Sequence, residues 1–157
     1  MDVTGLVDSK RLSATQRQLA AQRIRRQALC WHIGWATVAE IDAHNILAAT
    51  LLAMRNAISG LQTVPSMVLV DGNRDPDLGL PGRCVIGGDN RYAAIAAASI
   101  LAKVARDRYM RLAAQRYPGY GFTSNKGYGS RLHLQRLQEF GACPLHRRSF
   151  APVARVL

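Results

Sequence analysis

Two aspartates, Asp71 and Asp89, are the first candidates for chemistry because each follows a short run of apolar residues. The runs are residues 67–70 and 84–86, and the second leads into a Gly-Gly-Asp turn. Apolar runs without alternation are typical of interior strands, and α/β sheets bind ligands beyond the carboxyl ends of such strands. Two carboxylates at adjacent strand ends predict a Mg²⁺ or Mn²⁺ site, although each aspartate alone fits a simple strand-to-turn position equally well.

Basic side chains are concentrated in the second half of the chain, which has a net charge of +11 overall. Residues 1–90 carry nine Lys or Arg against eight Asp or Glu, whereas residues 91–157 carry twelve against two. Such asymmetry favours a polyanion as the partner of the C-terminal half, with a basic solvated surface as the alternative.

Two loops offer groups that suit a nucleic acid. In residues 125–129 a lysine and a tyrosine alternate with glycines, a pattern that suits stacking on a base or sugar beside a phosphate contact. Residues 8–10, Asp-Ser-Lys, present small polar and basic groups that suit an anion. The alternatives are a packed turn for the first loop and an ordinary surface turn for the second.

Regular elements must position these residues, and the apolar periodicity predicts where they lie. Ser13 followed by Gln16 forms a capping box, and residues 28–38 combine β-rich composition with period-2 alternation. We therefore expect strands over residues 28–38, 67–70 and 84–86. We expect helices over residues 14–28, 41–59, 92–116 and 130–140, with a loop over residues 117–122.

Length and composition predict one cytoplasmic domain. A chain of 157 residues with 48% hydrophobic and 20% charged residues is long and apolar enough for a core. Its three cysteines are far apart and odd in number, which predicts reduced thiols. No signal peptide and no apolar stretch of the ~18 residues needed to span a membrane is visible. Gly-rich nucleotide loops and Ser-His-Asp or Cys-His signatures are absent from the sequence.

Eight motifs, taken together and in order, resemble bacterial ribonuclease HII. They extend the similarity from about Gly5 to Val153. The motifs are Asp8-Ser9-Lys10-Arg11-Leu12-Ser13, Glu40-Ile41-Asp42 with Asn45-Ile46-Leu47, Val70-Asp71-Gly72-Asn73, Gly88-Asp89, Ala97-Ala98-Ser99-Ile100-Leu101-Ala102-Lys103-Val104, Tyr117-Pro118-Gly119-Tyr120-Gly121-Phe122, Lys126-Gly127-Tyr128-Gly129 and His146-Arg147-Arg148-Ser149-Phe150.

The resemblance implies an α/β fold of the RNase H type: a mixed sheet with flanking helices and a C-terminal helical part. It implies an endonuclease that hydrolyses the RNA strand of RNA–DNA hybrids and nicks 5′ of ribonucleotides embedded in duplex DNA. Two-metal catalysis with Mg²⁺ or Mn²⁺ is the implied mechanism. The expected partners are thus the hybrid and the ribonucleotide-containing duplex, with no membrane, and the protein is expected to be a monomer.

Residue by residue, the resemblance assigns two of the family's four acids to Asp71 and Asp89. It assigns the tyrosine that stacks at the RNA/DNA junction to Tyr128. The basic and polar residues that match by position and charge are expected to contact phosphates. They are Ser9, Lys10, Lys103, Arg106, Lys126, Arg147 and Arg148.

One part of the family pattern has no counterpart in the sequence. The family begins with a strand that carries an Asp-Glu pair followed by a Gly-Arg-Gly turn, and this sequence contains neither. A smaller departure is Asn125, which stands where the family commonly has His. We therefore expect residues 1–157 to form a single, N-terminally truncated domain that lacks the first two strands and half of the metal-binding acids. Three alternatives stay open: a complete enzyme with a misassigned start, an inactive remnant, and a non-catalytic nucleic-acid-binding module.

Overall fold

Seven helices and two strands make up the regular structure of residues 12–157, the part of the chain that the computed structural model describes. The strands are β1 (Val68–Asp71) and β2 (Gly82–Val85). The helices are α1 (Ala14–Gln27), α2 (Val38–His44), α3 (Ile46–Ser59), α4 (Ala93–Arg116), α5 (Phe122–Asn125), α6 (Arg131–Phe140) and α7 (Ala151–Ala154). Two 3₁₀ turns complete the list, Gly88–Asn90 and Pro118–Tyr120.

The described residues group into two compact units. The first unit contains the described chain through Trp35 together with Leu51–Val104, and the second contains Ala36–Thr50 and Ala105–Leu157. Helices α3 and α4 contribute residues to both units.

The sheet of the first unit is a parallel pair. Val68 of β1 lies opposite Gly82 of β2, and Asp71 lies opposite Val85. The Gly72 N–H donates to the Val85 carbonyl at 2.9 Å, so the ladder continues one residue beyond the aspartate. This parallel register brings the carboxyl ends of both strands to the same edge, as the apolar runs predicted.

The second strand differs from its prediction in position. It covers Gly82–Val85 rather than residues 84–86, because the register with β1 already starts at Gly82. Ile86 lies outside the ladder with 75% of its surface exposed. Within β1, Leu69 is half-buried and lies between two buried valines, Val68 and Val70.

The predicted strand over residues 28–38 does not form. Residues 28–37 have no regular structure, and Thr37 instead caps helix α2. The segment lies against helix α3: Asn56 donates its side-chain amide to the Trp35 carbonyl at 2.9 Å. A β-carbon on Gly34 would lie only 1.9 Å from the Ala53 carbonyl oxygen, so backbone and helix meet directly. Alternation made these residues suitable for a strand, but a strand needs a hydrogen-bonded neighbour.

The helix predicted over residues 41–59 is two helices, because Asn45 interrupts it. Asn45 has φ 77° and ψ 167°, a backbone conformation that residues with a β-carbon rarely adopt. Its side-chain Oδ1 accepts the N–H groups of Leu47 at 2.9 Å and Ala48 at 3.1 Å, which caps helix α3. A local side chain therefore competes successfully with the helical backbone at this point.

Three other helices agree with their predictions. The capping box is present at α1, where Gln16 N–H donates to Ser13 Oγ at 3.2 Å and Ser13 N–H to Gln16 Oε1 at 2.9 Å. Helix α4 extends over 24 residues, consistent with its many alanines, and the Ser130 side chain caps α6. Residues 117–122 were predicted as a loop, and they form the second 3₁₀ turn and the start of α5.

Each unit has its own hydrophobic cluster. In the first unit, α1 and α4 pack through small and branched side chains, and the buried members are Ala21, Ile24, Ala97, Ile100 and Leu101. In the second unit the buried members are Met110, Ala113, Tyr120, Phe122 and Cys143. The three cysteines are free thiols, in agreement with the sequence. Among the described residues, helices that combine enough length and hydropathy to cross a bilayer are absent.

Candidate active site and nucleic-acid surface

The structure brings Asp71 and Asp89 to the same edge of the sheet. Asp71 is the last residue of β1, and its Oδ1 accepts the Gly88 N–H at 3.0 Å. Asp89 follows Gly88 directly in the first 3₁₀ turn and is only 4% exposed. Asn90 donates its side-chain amide to Asp89 Oδ1 at 3.1 Å. One backbone amide thus joins the turn that carries one acid to the side chain of the other.

Glycines make this turn possible. Gly87 has φ 64°, which costs a residue with a β-carbon free energy. A β-carbon on Gly88 would lie 2.4 Å from Ile95 Cδ1 and 3.4 Å from Val85 Cβ. A larger residue at this position would therefore require the buried Ile95 side chain to move.

The two acids suit a divalent cation. Carboxylate oxygens are hard ligands, and Mg²⁺ is usually held by one or two protein carboxylates together with waters and substrate phosphates. Within residues 12–157, no group of three or more His, Cys, Asp or Glu side chains is arranged to hold a metal ion. Asp71 and Asp89 are thus two candidate carboxylate ligands at one edge of the sheet.

In the second unit, residues 125–129 form a turn, which we call the Tyr128 turn. Arg106 of α4 donates from Nη2 to the Lys126 carbonyl at 3.2 Å. The same guanidinium lies 6.0 Å from the centre of the Tyr128 ring. Lys126 donates from Nζ to the Thr123 carbonyl, and Tyr128 is 62% exposed. The structure thus brings together three residues that the sequence singled out, and it presents the ring of Tyr128 on the surface.

Asn125 holds this turn from inside. Its Oδ1 accepts the Gly127 N–H at 2.8 Å, and its Nδ2 donates to the Tyr120 carbonyl at 2.7 Å. The Tyr128 N–H donates to the Asn125 carbonyl at 2.9 Å. Asn125 therefore has a defined structural role at the position where the family pattern has His.

Arg147 and Arg148 lie on a loop that Asp42 of α2 fastens. The Asp42 carboxylate accepts the backbone N–H groups of Arg148 and Ser149, each at 2.9 Å, and the Ser149 hydroxyl at 2.6 Å. The Ser149 hydroxyl is the main reason that the pKa of Asp42 lies below its usual value. The Arg147 guanidinium stacks 5.1 Å from the centre of the Phe150 ring, and Arg148 is exposed.

The remaining predicted residues are placed separately. Lys103 is half-buried on the part of α4 that belongs to the first unit. Ser9 and Lys10 lie outside the described residues. Apart from Lys103, the described predicted residues occur in three groups: the acids of the first unit, the Tyr128 turn with Arg106 beside it, and the loop held by Asp42.

Two histidines that the sequence did not single out form a buried pair behind the Tyr128 turn. His133 and His146 are 6% and 7% exposed, and their Nε2 atoms are 3.0 Å apart. His146 lies within a recognised motif, but nothing in the spacing links it to His133. Asp42 also lay in a motif without an assigned role. Such contacts follow from tertiary packing, so no local sequence pattern indicates them.

The chain is similar to known proteins of one family. The family model described as Ribonuclease HII matches residues 1–153. A protein named Ribonuclease HII from Acidovorax sp. (strain JS42) is 56% identical over 155 residues, covering 99% of this chain and 74% of the relative. The Ribonuclease HII of Paracidovorax citrulli (strain AAC00-1) is 55% identical over 152 residues, covering 97% of this chain and 63% of the relative.

A solved structure shows the same fold. The crystal structure of the ribonuclease H2 from Pyrococcus horikoshii OT3 aligns with a TM-score of 0.86 at 24% identity. The alignment covers 99% of this chain and 81% of that one. This agreement confirms the predicted fold class, an α/β arrangement of the RNase H type with a C-terminal helical part.

Proposed function

The chain belongs to the ribonuclease HII family of ribonuclease H-type endonucleases, and on that basis we propose its substrates. They are the RNA strand of RNA–DNA hybrids and duplex DNA that contains embedded ribonucleotides, which the protein nicks on the 5′ side. The observation that supports this proposal is the pair of acids, Asp71 and Asp89, joined through the Gly88 amide at 3.0 Å.

In the proposed mechanism Asp71 and Asp89 hold Mg²⁺ or Mn²⁺. When bound, the metal ions would activate the attacking water and stabilise the leaving oxygen. The Gly88 N–H orients the Asp71 carboxylate, which fixes the direction in which its oxygens are offered.

The basic and aromatic residues bind the nucleic acid in this proposal. Tyr128 stacks on a base or sugar, a contact worth about 1–3 kcal/mol per base. The phosphate contacts come from cationic and polar side chains, and each neutralised phosphate adds about 0.9 to the salt dependence of duplex binding. These side chains are Ser9, Lys10, Lys103, Arg106, Lys126, Arg147 and Arg148.

Single-ribonucleotide nicking tests the catalytic part of the proposal. A duplex with one embedded ribonucleotide is incubated with the purified 157-residue chain and Mg²⁺ or Mn²⁺, and products are resolved on a denaturing gel. We expect Asp71→Asn and Asp89→Asn to lower the rate at least about a hundredfold, since even outer-shell substitutions around metal ligands cost 10–100-fold. Asp75→Asn is the matched control, because it removes one charge from an exposed carboxylate of the same unit.

Metal titration by calorimetry provides a second readout that does not depend on turnover. Both site variants are expected to bind Mn²⁺ more weakly than the Asp75→Asn protein. Wild-type nicking rates in Asp71→Asn and Asp89→Asn would contradict the assignment of the acids. Binding of the hybrid with a steep salt dependence but without any metal-dependent nicking would instead identify the chain as a non-catalytic nucleic-acid-binding module.

We further propose that the chain acts as one cytoplasmic ribonuclease HII domain and as a monomer. Light scattering coupled to size-exclusion chromatography measures the mass directly. A mass near the 17.2 kDa of one chain is expected, and a concentration-independent dimer would refute it.

A further inference from the structure

The buried pair formed by His133 and His146, which we call the His pair, connects the Tyr128 turn to the loop at Cys143. His133 Nδ1 lies 2.9 Å from the Tyr128 carbonyl oxygen. The two Nε2 atoms are 3.0 Å apart, and the Cys143 N–H donates to His146 Nδ1 at 3.0 Å. The result is one continuous chain of hydrogen bonds between two backbone groups.

The two backbone groups at the ends of this hydrogen-bond network determine which ring nitrogens carry hydrogen. A carbonyl oxygen only accepts, so His133 Nδ1 carries the hydrogen that it donates to Tyr128. A backbone N–H only donates, so His146 Nδ1 carries none, and a neutral His146 has its hydrogen on Nε2. His146 Nε2–H then donates to the unprotonated Nε2 of His133. In this arrangement every contact has one hydrogen.

An additional proton has no place in the His pair. On His133 it would put two hydrogens between Nε2 atoms that are 3.0 Å apart, and on His146 it would face the Cys143 N–H. Burial first, and then the neighbouring His133, hold the pKa of His146 below its usual value. The other titratable groups in contact are Tyr120 and Cys143, and burial raises the pKa of both, which keeps them uncharged at neutral pH.

We propose that His133 is a positioning residue for Tyr128, and that His146 sets the tautomer in which His133 can do so. The inference rests on the proposed role of Tyr128 as a stacking platform. Tyr128 is 62% exposed, and its carbonyl oxygen accepts from His133 Nδ1 at 2.9 Å and from the Ser130 N–H at 2.8 Å. The His pair therefore restrains the backbone beneath an exposed ring, so that less conformational entropy is lost when a base stacks on it.

The aromatic surroundings keep the His pair in place. The ring centre of Phe122 lies 5.4 Å from that of His133, at nearly a right angle, and 5.7 Å from that of His146. Tyr120 packs against His146 with ring centres 4.9 Å apart. Because its tautomers are fixed and aromatic rings enclose it, the His pair has few alternative arrangements. It is therefore suited to restrain the backbone that it contacts.

The tautomers can be measured on the unsubstituted chain. Long-range ¹H–¹⁵N spectra of the imidazoles distinguish a protonated from an unprotonated ring nitrogen. We expect His133 as the Nδ1–H form and His146 as the Nε2–H form at pH 7. The opposite tautomer at His133 would overturn the inference, whatever the protein binds.

Two substitutions at His133 separate the contact with Tyr128 from the contact with His146. His133→Asn places an amide donor near the former Nδ1 and preserves the bond to the Tyr128 carbonyl. His133→Gln reaches the former Nε2 position and loses that bond. We expect backbone ¹⁵N relaxation to show increased motion of residues 125–129 in the glutamine variant only. Equal mobility in the two variants would contradict a positioning role.

Binding of a ribonucleotide-containing duplex, followed by fluorescence anisotropy, connects the restraint to function. His133→Gln is expected to raise Kd about three- to tenfold, the scale of one lost hydrogen bond, and His133→Asn to stay near the wild-type value. The same glutamine substitution should have no effect in a Tyr128→Ala background. An effect that persists there refutes action through Tyr128. If the Tyr128→Ala protein binds the duplex as tightly as the wild type, the proposed stacking role of Tyr128 is wrong. The relaxation and tautomer measurements then still test whether the His pair restrains residues 125–129.

Discussion

Gly34→Ala tests whether residues 28–37 pack on helix α3 as the structure shows. The added β-carbon would lie 1.9 Å from the Ala53 carbonyl oxygen and 2.4 Å from the Ala57 nitrogen. Both are backbone atoms of a helix, so neither can rotate away. Favourable contacts of a carbon atom lie near 3.5–4.0 Å, so the segment and the helix must separate by roughly 1.5 Å or more.

The expected destabilisation follows from two contributions. Overpacking of this kind costs about 1–3 kcal/mol. The separation also breaks the 2.9 Å bond from Asn56 to the Trp35 carbonyl, which contributes about 0.5–1.5 kcal/mol. We therefore expect the free energy of unfolding to fall by about 2–4 kcal/mol, a large share of the 5–15 kcal/mol typical of a domain.

Urea denaturation followed by tryptophan fluorescence is a suitable assay, because the chain's two tryptophans, Trp31 and Trp35, are both in this segment. Gly129→Ala is the matched control, since the nearest atom to its β-carbon would be Leu134 Cδ2 at 3.9 Å. The control is expected to stay within about 0.5 kcal/mol of the wild type. A Gly34→Ala protein as stable as this control would show that the described packing of the segment is wrong.

Three further predictions concern the core and the titrating groups. Ile100 is completely buried, so Ile100→Ala should lower the free energy of unfolding by about 2–5 kcal/mol and Ile100→Val by only about 0.5–1.5 kcal/mol in urea denaturation. Because the pKa of His146 is lowered in the folded state, its contribution to stability is present above about pH 6.5 and is lost as pH falls through the lowered value. Denaturation at pH 8 and pH 5 measures this loss, and a gain on acidification would reverse the assigned sign. The lowered pKa of Asp42 places its stabilising effect above about pH 3.9, with loss at lower pH. In a pH series of melting temperatures, Asp42→Asn should reduce the fall in melting temperature at low pH. An unchanged fall would rule out the Ser149 contact as its cause.

Local interactions explain the elements that the sequence predicted well. The capping box at Ser13, the alanine-rich composition of α4 and the cap at Ser130 all act within a few residues. The apolar run before Asp71 predicted a strand with buried side chains, because consecutive apolar residues are typical of buried strands. Ordered motifs also identified the family, which the relatives confirmed.

The failures have a different origin. Alternation in residues 28–38 predicted a strand, but a strand requires a partner, and the segment packs on α3 instead. Asn45 interrupts a continuous apolar pattern because its side chain caps the second helix, which periodicity does not register. In both cases a contact outside the pattern determined the conformation.

The sequence by itself determined the family, the helices with strong local signals, and the two strand-end acids. Tertiary structure alone decided three contacts: the Gly88 amide joins those acids, Asp42 accepts hydrogen bonds from the loop that carries Arg147 and Arg148, and His133 contacts His146 behind Tyr128. The physical reason is distance along the chain. Asp42 and Arg148 are separated by 106 positions and the two histidines by 13, and hydrogen bonds between such residues exist only once packing has brought their elements together.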